Sequence, residues 1–142
     1  MKLSFEQSIS LLDEFDHGTL CTAHPERGVD AVPVLYGFHA GCIGIPIDTV
    51  KPKSSPQLQR ERNLELDPRA TLLIEHWDRH DWSRLWWVRA ELRWVPSADE
   101  TTIGALGARL EQRFEQYREQ PFLRMLTFEL VAATGWAATA PA

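Results

Sequence analysis

The stretch AVPVLYGFHAGCIGIPI, from Ala31 to Ile47, decides the fold. Two runs rich in β-branched and aromatic residues, Ala31 to Phe38 and Cys42 to Ile47, are parted by Ala40-Gly41, and apolar runs broken by turn signals are the pattern of antiparallel strands. Upstream, Thr19 to Ala23 is a further β-prone run, set off by the turn residues Pro25-Glu26-Arg27-Gly28. These three runs predict an antiparallel meander.

Working outward, Ser4 and Gln7 form a capping box, after which Phe5, Ile9, Leu12 and Phe15 recur at helical spacing until His17-Gly18. That predicts an amphipathic first helix. Downstream, Ser55 before Pro56 reads as an N-cap with proline at the first helical position, and Asp67-Pro68 stops the segment, so a short helix is expected over Pro56 to Leu66. Two more strands follow, Ala70 to Trp77 and Leu85 to Val95, joined by a polar connection. Ser97 with Glu100 opens a long helix that carries Ile103, Leu106, Leu110, Phe114 and Tyr117 on one face. A last strand, about Leu123 to Val131, leads to Thr134-Gly135-Trp136. The sum is mainly β with flanking helices. Six antiparallel strands in an open sheet would leave bare edges, so closure into a small barrel is expected.

The bulk numbers agree with one domain over 1–142, with about 137–142 a loose tail: the chain has 142 residues, 44% of them hydrophobic and 25% charged. A net charge of -5 argues against a nucleic-acid-coating protein, whose affinity comes mainly from many Lys/Arg contacts to phosphate. No run approaches the roughly 20 apolar residues of a membrane-spanning helix, and Met1 to Glu14 has no secretory pattern. The expected compartment is the cytoplasm. There Cys21 and Cys42, without CxxC spacing, read as two buried thiols.

Three constellations could carry chemistry. Lys51 and Lys53, two of the chain's three lysines, flank Pro52 just before a helix start, whose open N–H groups favour an anion. Ser55, Arg60 and Asn63 add donors, the last two on one helical face. The set suits a phosphate, but by itself it reads more readily as a solvated surface turn and helix, with Ser55 simply the helix cap. The second is the double indole Trp86-Trp87: on a strand, Trp87 and Arg89 point one way while Trp86, Val88 and Ala90 point the other, so one indole faces the core and one a surface. The third, His76, Asp78, His80 and Asp81, lies at a strand end and loop, where HxxxH does not gather two imidazoles. GxSxG, P-loop, GxGxxG and CxxC are all missing, which leaves acyl transfer, Walker-type hydrolysis and Rossmann cofactor binding unsupported.

The phrases DTVKPK, LQRERNLELDPRATLLIEHWD, DWSRLWWVRAELRWV and the closing TGW, in that order, resemble the pyridoxamine 5'-phosphate oxidase-like split β-barrels, and within them the flavin/deazaflavin branch that uses coenzyme F420. The likeness covers nearly the whole chain and is most specific from Asp48 to Arg89. It implies a six-stranded FMN-binding-type split barrel that dimerises, with the cofactor in a groove at the subunit interface. Basic residues in and after the third strand, and one shortly before an Asn-Leu pair, would hold the phosphate end; these fall on Lys51, Lys53 and Arg60, the last ahead of Asn63-Leu64. The implied activity is hydride transfer between reduced F420 and a small organic acceptor, without a side-chain nucleophile. Val32 to Leu35 and the Trp86/Trp87 pair would wall the ring. FMN is the alternative cofactor, and a non-catalytic flavin, deazaflavin or haem carrier the alternative role. The resemblance leaves Asp78 to Arg84 unexplained.

Overall fold

The computed structural model describes residues 1–47, 57–119, 122 and 124–140. Helix α1 spans Phe5–Glu14 and strands β1 to β4 span His17–His24, Gly28–Leu35, Gly37–His39 and Cys42–Ile47. Then come α2 (Gln59–Leu66), β5 (Arg69–His76), a 3-10 turn (Trp82–Arg84), β6 (Trp86–Trp94), α3 (Glu100–Arg113), α4 (Glu115–Glu119) and β7 (Arg124–Ala137). All strand pairings are antiparallel, in the order β2-β1-β5-β6-β7-β4-β3, and the sheet curls into a half-barrel. No helix among the described residues is long and apolar enough to cross a membrane.

The sheet has seven strands rather than the six expected, because the run Ala31 to Phe38 serves two edges. Tyr36 makes the corner: its N–H donates to the Asp16 carbonyl, and its buried phenol donates to the Leu12 carbonyl at 2.8 Å. Before it, β2 pairs with β1; after it, β3 crosses to pair with β4. The β3–β4 turn is the expected Ala40-Gly41, with φ of 48° and 75°, the positive values a two-residue hairpin loop needs at both positions.

Other boundaries also move. The Ser4–Gln7 capping box forms as expected, but α1 stops at Glu14 and His17 already belongs to β1. Helix α2 begins at Gln59, not Pro56, and its N-cap is Leu58, so the expected cap at Ser55 is not the one that starts it. Helix α3 is capped by Asp99, whose carboxylate accepts from Thr102 N–H, in place of Ser97, and the chain breaks at Phe114 before α4. Strand β7 runs on through Gly135-Trp136 to Ala137, because β6 pairs along its whole length and Met1 to Leu3 bond to its other side. A bulge at Glu91/Leu92 keeps the two faces in register.

Alternation sets the core. Trp86, Val88, Ala90 and Leu92 of β6 turn inward, with Leu72 and Ile74 of β5 and Leu20 of β1. Leu12 of α1 is wholly buried among them, a side chain worth roughly 2 kcal/mol on burial. Helix α1 packs on β3, β6 and β7, α3 on β3 and β4, and α2 on β1.

Candidate functional site

Helix α2 is fixed from both sides. On one flank Asn63, fully buried, donates to Thr22 Oγ1 of β1 at 3.0 Å and to Asp30 Oδ2 of β2 at 2.9 Å, while its oxygen accepts from Gln59 Nε2. The Asn63 hydrogen bond is the main reason the Asp30 carboxyl lies below its usual range, with the Arg27 guanidinium adding to it. On the other flank Glu61 pairs with Arg124 of β7 and accepts from Leu58 N–H at 3.0 Å. Burial pushes the Glu61 carboxyl up, but Arg124 and the backbone donor outweigh it and the group stays below the ordinary value. The helix therefore bridges β1–β2 and β7.

Arg60 lies between these ties and lines a cavity of about 350 Å³ with His17, Gly18, Pro33, Val34, Leu35, Pro46 and Tyr117. The floor is tight: a Cβ on Gly18 would stand 2.5 Å from the Leu73 carbonyl oxygen, so only glycine fits. Pro33 sits on the edge strand β2, where its missing N–H breaks no ladder. Three of the residues expected to wall a ring, Pro33, Val34 and Leu35, thus meet Arg60. Asn63 does not join them, because its amide is committed inside the chain and Arg60 and Asn63 turn to different surroundings. Lys51, Lys53 and Ser55 lie outside the described residues.

The two indoles face opposite ways, as strand alternation requires. Trp87 is on the outer face, opposite Trp136 across the β6–β7 ladder and Glu75 across β5–β6, with the Arg89 guanidinium 5.7 Å from its ring centre. Trp86 is on the inner face, edge-on to Phe15 at 5.2 Å and parallel to His76 at 6.2 Å. It lines a second cavity of about 510 Å³ with Leu11, His76, Ser83, Arg84, Leu85, Ala137, Thr139 and Ala140. No described cavity takes both indoles.

His17, at a strand end and read from the sequence as solvent-facing, is exposed, yet it is tied to its neighbours. Its Nδ1 is 2.9 Å from Asp16 Oδ1, Arg113 stands 3.9 Å from the other Asp16 oxygen, and the ring packs on Phe15 at 4.6 Å. It is the one histidine in the Arg60 cavity lining. A helix stop and a solvent-facing ring, the two readings His17 had from sequence, carry no hint of the Asp16-His17 pair. Cys21 and Cys42 are both free, neither wholly buried, and burial with Glu129 and Asp99 nearby pushes the Cys42 thiol up, away from the thiolate form.

The outer face of the sheet carries a basin of about 560 Å³ lined by Cys21, Ala23, Thr71 and two valines, Val29 and Val131, that are 64% and 65% exposed. Arg69, Arg93 and Glu91 rim it. The main helix contacts lie elsewhere.

No family model and no curated protein matches the sequence. Solved structures do match by fold. A conserved hypothetical protein of Mycobacterium tuberculosis superposes with a TM-score of 0.71 at 19% identity, over 99% of this chain and 90% of that one. An FAD-binding protein of Mesorhizobium loti gives 0.65 at 12% identity, over 95% and 93%. The heme storage protein HutZ of Vibrio cholerae gives 0.60 at 13%, over 92% and 91%. The chain therefore has the split-barrel fold shared by flavin-binding, pyridoxamine phosphate oxidase-like and haem-binding proteins.

Proposed function

We propose that this chain is a homodimeric oxidoreductase that binds reduced coenzyme F420, with FMN as the alternative, and delivers a hydride to a small organic acceptor. The observation that carries the reading is the cavity where Arg60 meets Pro33, Val34 and Leu35. Its volume is at the small end of ligand sites, which run about 300–1,000 Å³, so it suits one portion of such a cofactor. Arg60, with Lys51 and Lys53, holds the phosphate end by charge-assisted hydrogen bonds. Ser55 is a further donor in that reading; Asn63 acts through the placement of α2. The remainder of the cofactor runs over the outer face, where Trp87 rather than Trp86 is available to the ring and a second copy covers the basin around Val29 and Val131.

When bound, the cofactor supplies the hydride; the chain binds it, orients it and excludes water. The reading gains support from the flavin-binding neighbours. The alternative, a carrier without turnover, is favoured by the match to a haem storage protein.

Titration of the purified protein with F420 and with FMN tests the proposal. Arg60→Ala and Lys53→Ala are each expected to cost about 1–3 kcal/mol of affinity. Binding of neither cofactor at micromolar concentration refutes it, and binding of haem alone selects the carrier. Light scattering of Val131→Glu checks the dimer face: the variant is expected to run as a monomer.

A further inference from the structure

The cavity on the inner-face indole is absorbed by none of this. Its wall is held for a specific reason: three successive carbonyls at the end of the β5–β6 connection are bonded by two separate parts of the chain, β5 and the segment that follows β7. Ser83 O accepts from Thr139 Oγ1 at 2.9 Å, Arg84 O bonds His76 Nδ1 at 3.0 Å, and Leu85 O accepts from Ala138 N–H at 2.9 Å. Asp81 caps the turn through Ser83. The stretch Ser83 to Leu85 is thus a fixed side of the cavity.

The lining sorts into two kinds. Leu11, Leu85, Ala137 and the Trp86 ring are apolar. The ionisable members are His76 and Arg84, and no carboxylate joins them, in a protein of net charge -5. A carbonyl only accepts, so His76 Nδ1 carries the hydrogen toward Arg84 O, and Nε2 has no partner among the described residues. Among the described residues Arg84 makes one side-chain hydrogen bond, to Asp78 at a long 3.4 Å, with the Asp81 carboxylate also close enough to interact with its charge, which leaves several of its five N–H groups open. His76 and Trp86 are directly opposed across the β5–β6 ladder and nearly parallel, so a basic atom and a flat apolar wall border the same space.

We propose that this cavity binds a flat aromatic carboxylate, with its ring against Trp86 and its carboxylate between Arg84 and His76 Nε2. Its volume of about 510 Å³ is ordinary for a small-molecule site. The proposal does not rest on the F420 reading, which uses Arg60 and Trp87.

The test is calorimetric titration of the wild-type protein, without any cofactor, with 2-naphthoate and with its uncharged amide. The carboxylate is expected to saturate below about 1 mM and to bind at least about tenfold tighter than the amide. Arg84→Gln is expected to bring 2-naphthoate down to the amide's affinity and leave the amide unchanged. NMR on the wild type should shift the His76 ring and Trp86 indole signals, with Trp87 and Trp136 unmoved. Failure to saturate, equal affinity of the two ligands, or shifts at Trp87 instead overturns the proposal; the ligand pair decides it even if the variant does not fold.

Discussion

Replacing Asn63 with alanine should unlatch α2 from the sheet. The side chain is wholly buried and makes three hydrogen bonds, to Thr22, Asp30 and Gln59. Each is worth about 0.5–1.5 kcal/mol net, and the stranded partners add a desolvation cost. A loss of about 3 kcal/mol follows, a large share of the ~5–15 kcal/mol a domain possesses. At this chain length that is roughly 6–12 °C in Tm. The pH dependence has a definite sign. Asp30 is depressed in the folded state chiefly by Asn63, so its contribution is present above the unfolded carboxylate value of about 3.9 and is lost as pH falls through the lower folded value. Urea unfolding of both proteins at pH 7 and pH 3 should therefore show a gap that narrows at pH 3. A gap under about 0.5 kcal/mol at pH 7, or one that widens on acidification, would show that α2 is not held this way.

Gly18→Ala drives a Cβ against the Leu73 carbonyl, a backbone atom, and should cost about 1–3 kcal/mol as β1 and β5 spread; a Tm unchanged in calorimetry would contradict the fit. Ala40→Asn should stabilise by about 0.5–1 kcal/mol in urea titration, since Ala40 has φ 48° before Gly41 and Asn-Gly is the preferred pair for such a turn. The Arg69 side chain and N–H together hold the Asp67 carboxyl down to about 2, so carboxyl NMR should find it ionised well below pH 4, and Arg69→Gln, which keeps the N–H, should bring it only part of the way back toward the ordinary range.

Much of the architecture was legible. Period-two alternation over Leu85 to Ala90 put the two indoles on opposite faces, as found, because a strand leaves a side chain only two directions; which of them is inside was settled by the fold. The Ser4–Gln7 box and the Ala40-Gly41 turn were equally readable, since each is a bond or dihedral requirement within a few residues. Long-range partners were not. The run Ala31 to Phe38 read as one strand because nothing local announces that Tyr36 bonds to Asp16 and Leu12 and turns the corner. The caps expected at Ser97 and Ser55 failed for a different, local reason: residues two or three positions on, Asp99 and Leu58, start the helices.

For the site, the sequence by itself determined which groups were available: cations before and within α2, and two adjacent indoles that alternation forces apart. Only the tertiary structure decided their company. Arg60 and Asn63, three apart on one helix, part because Asn63 is drawn inward by Thr22 and Asp30 while Arg60 meets Pro33 to Leu35. Spacing along a chain fixes a side chain's direction, but the partner it finds there belongs to strands tens of residues away.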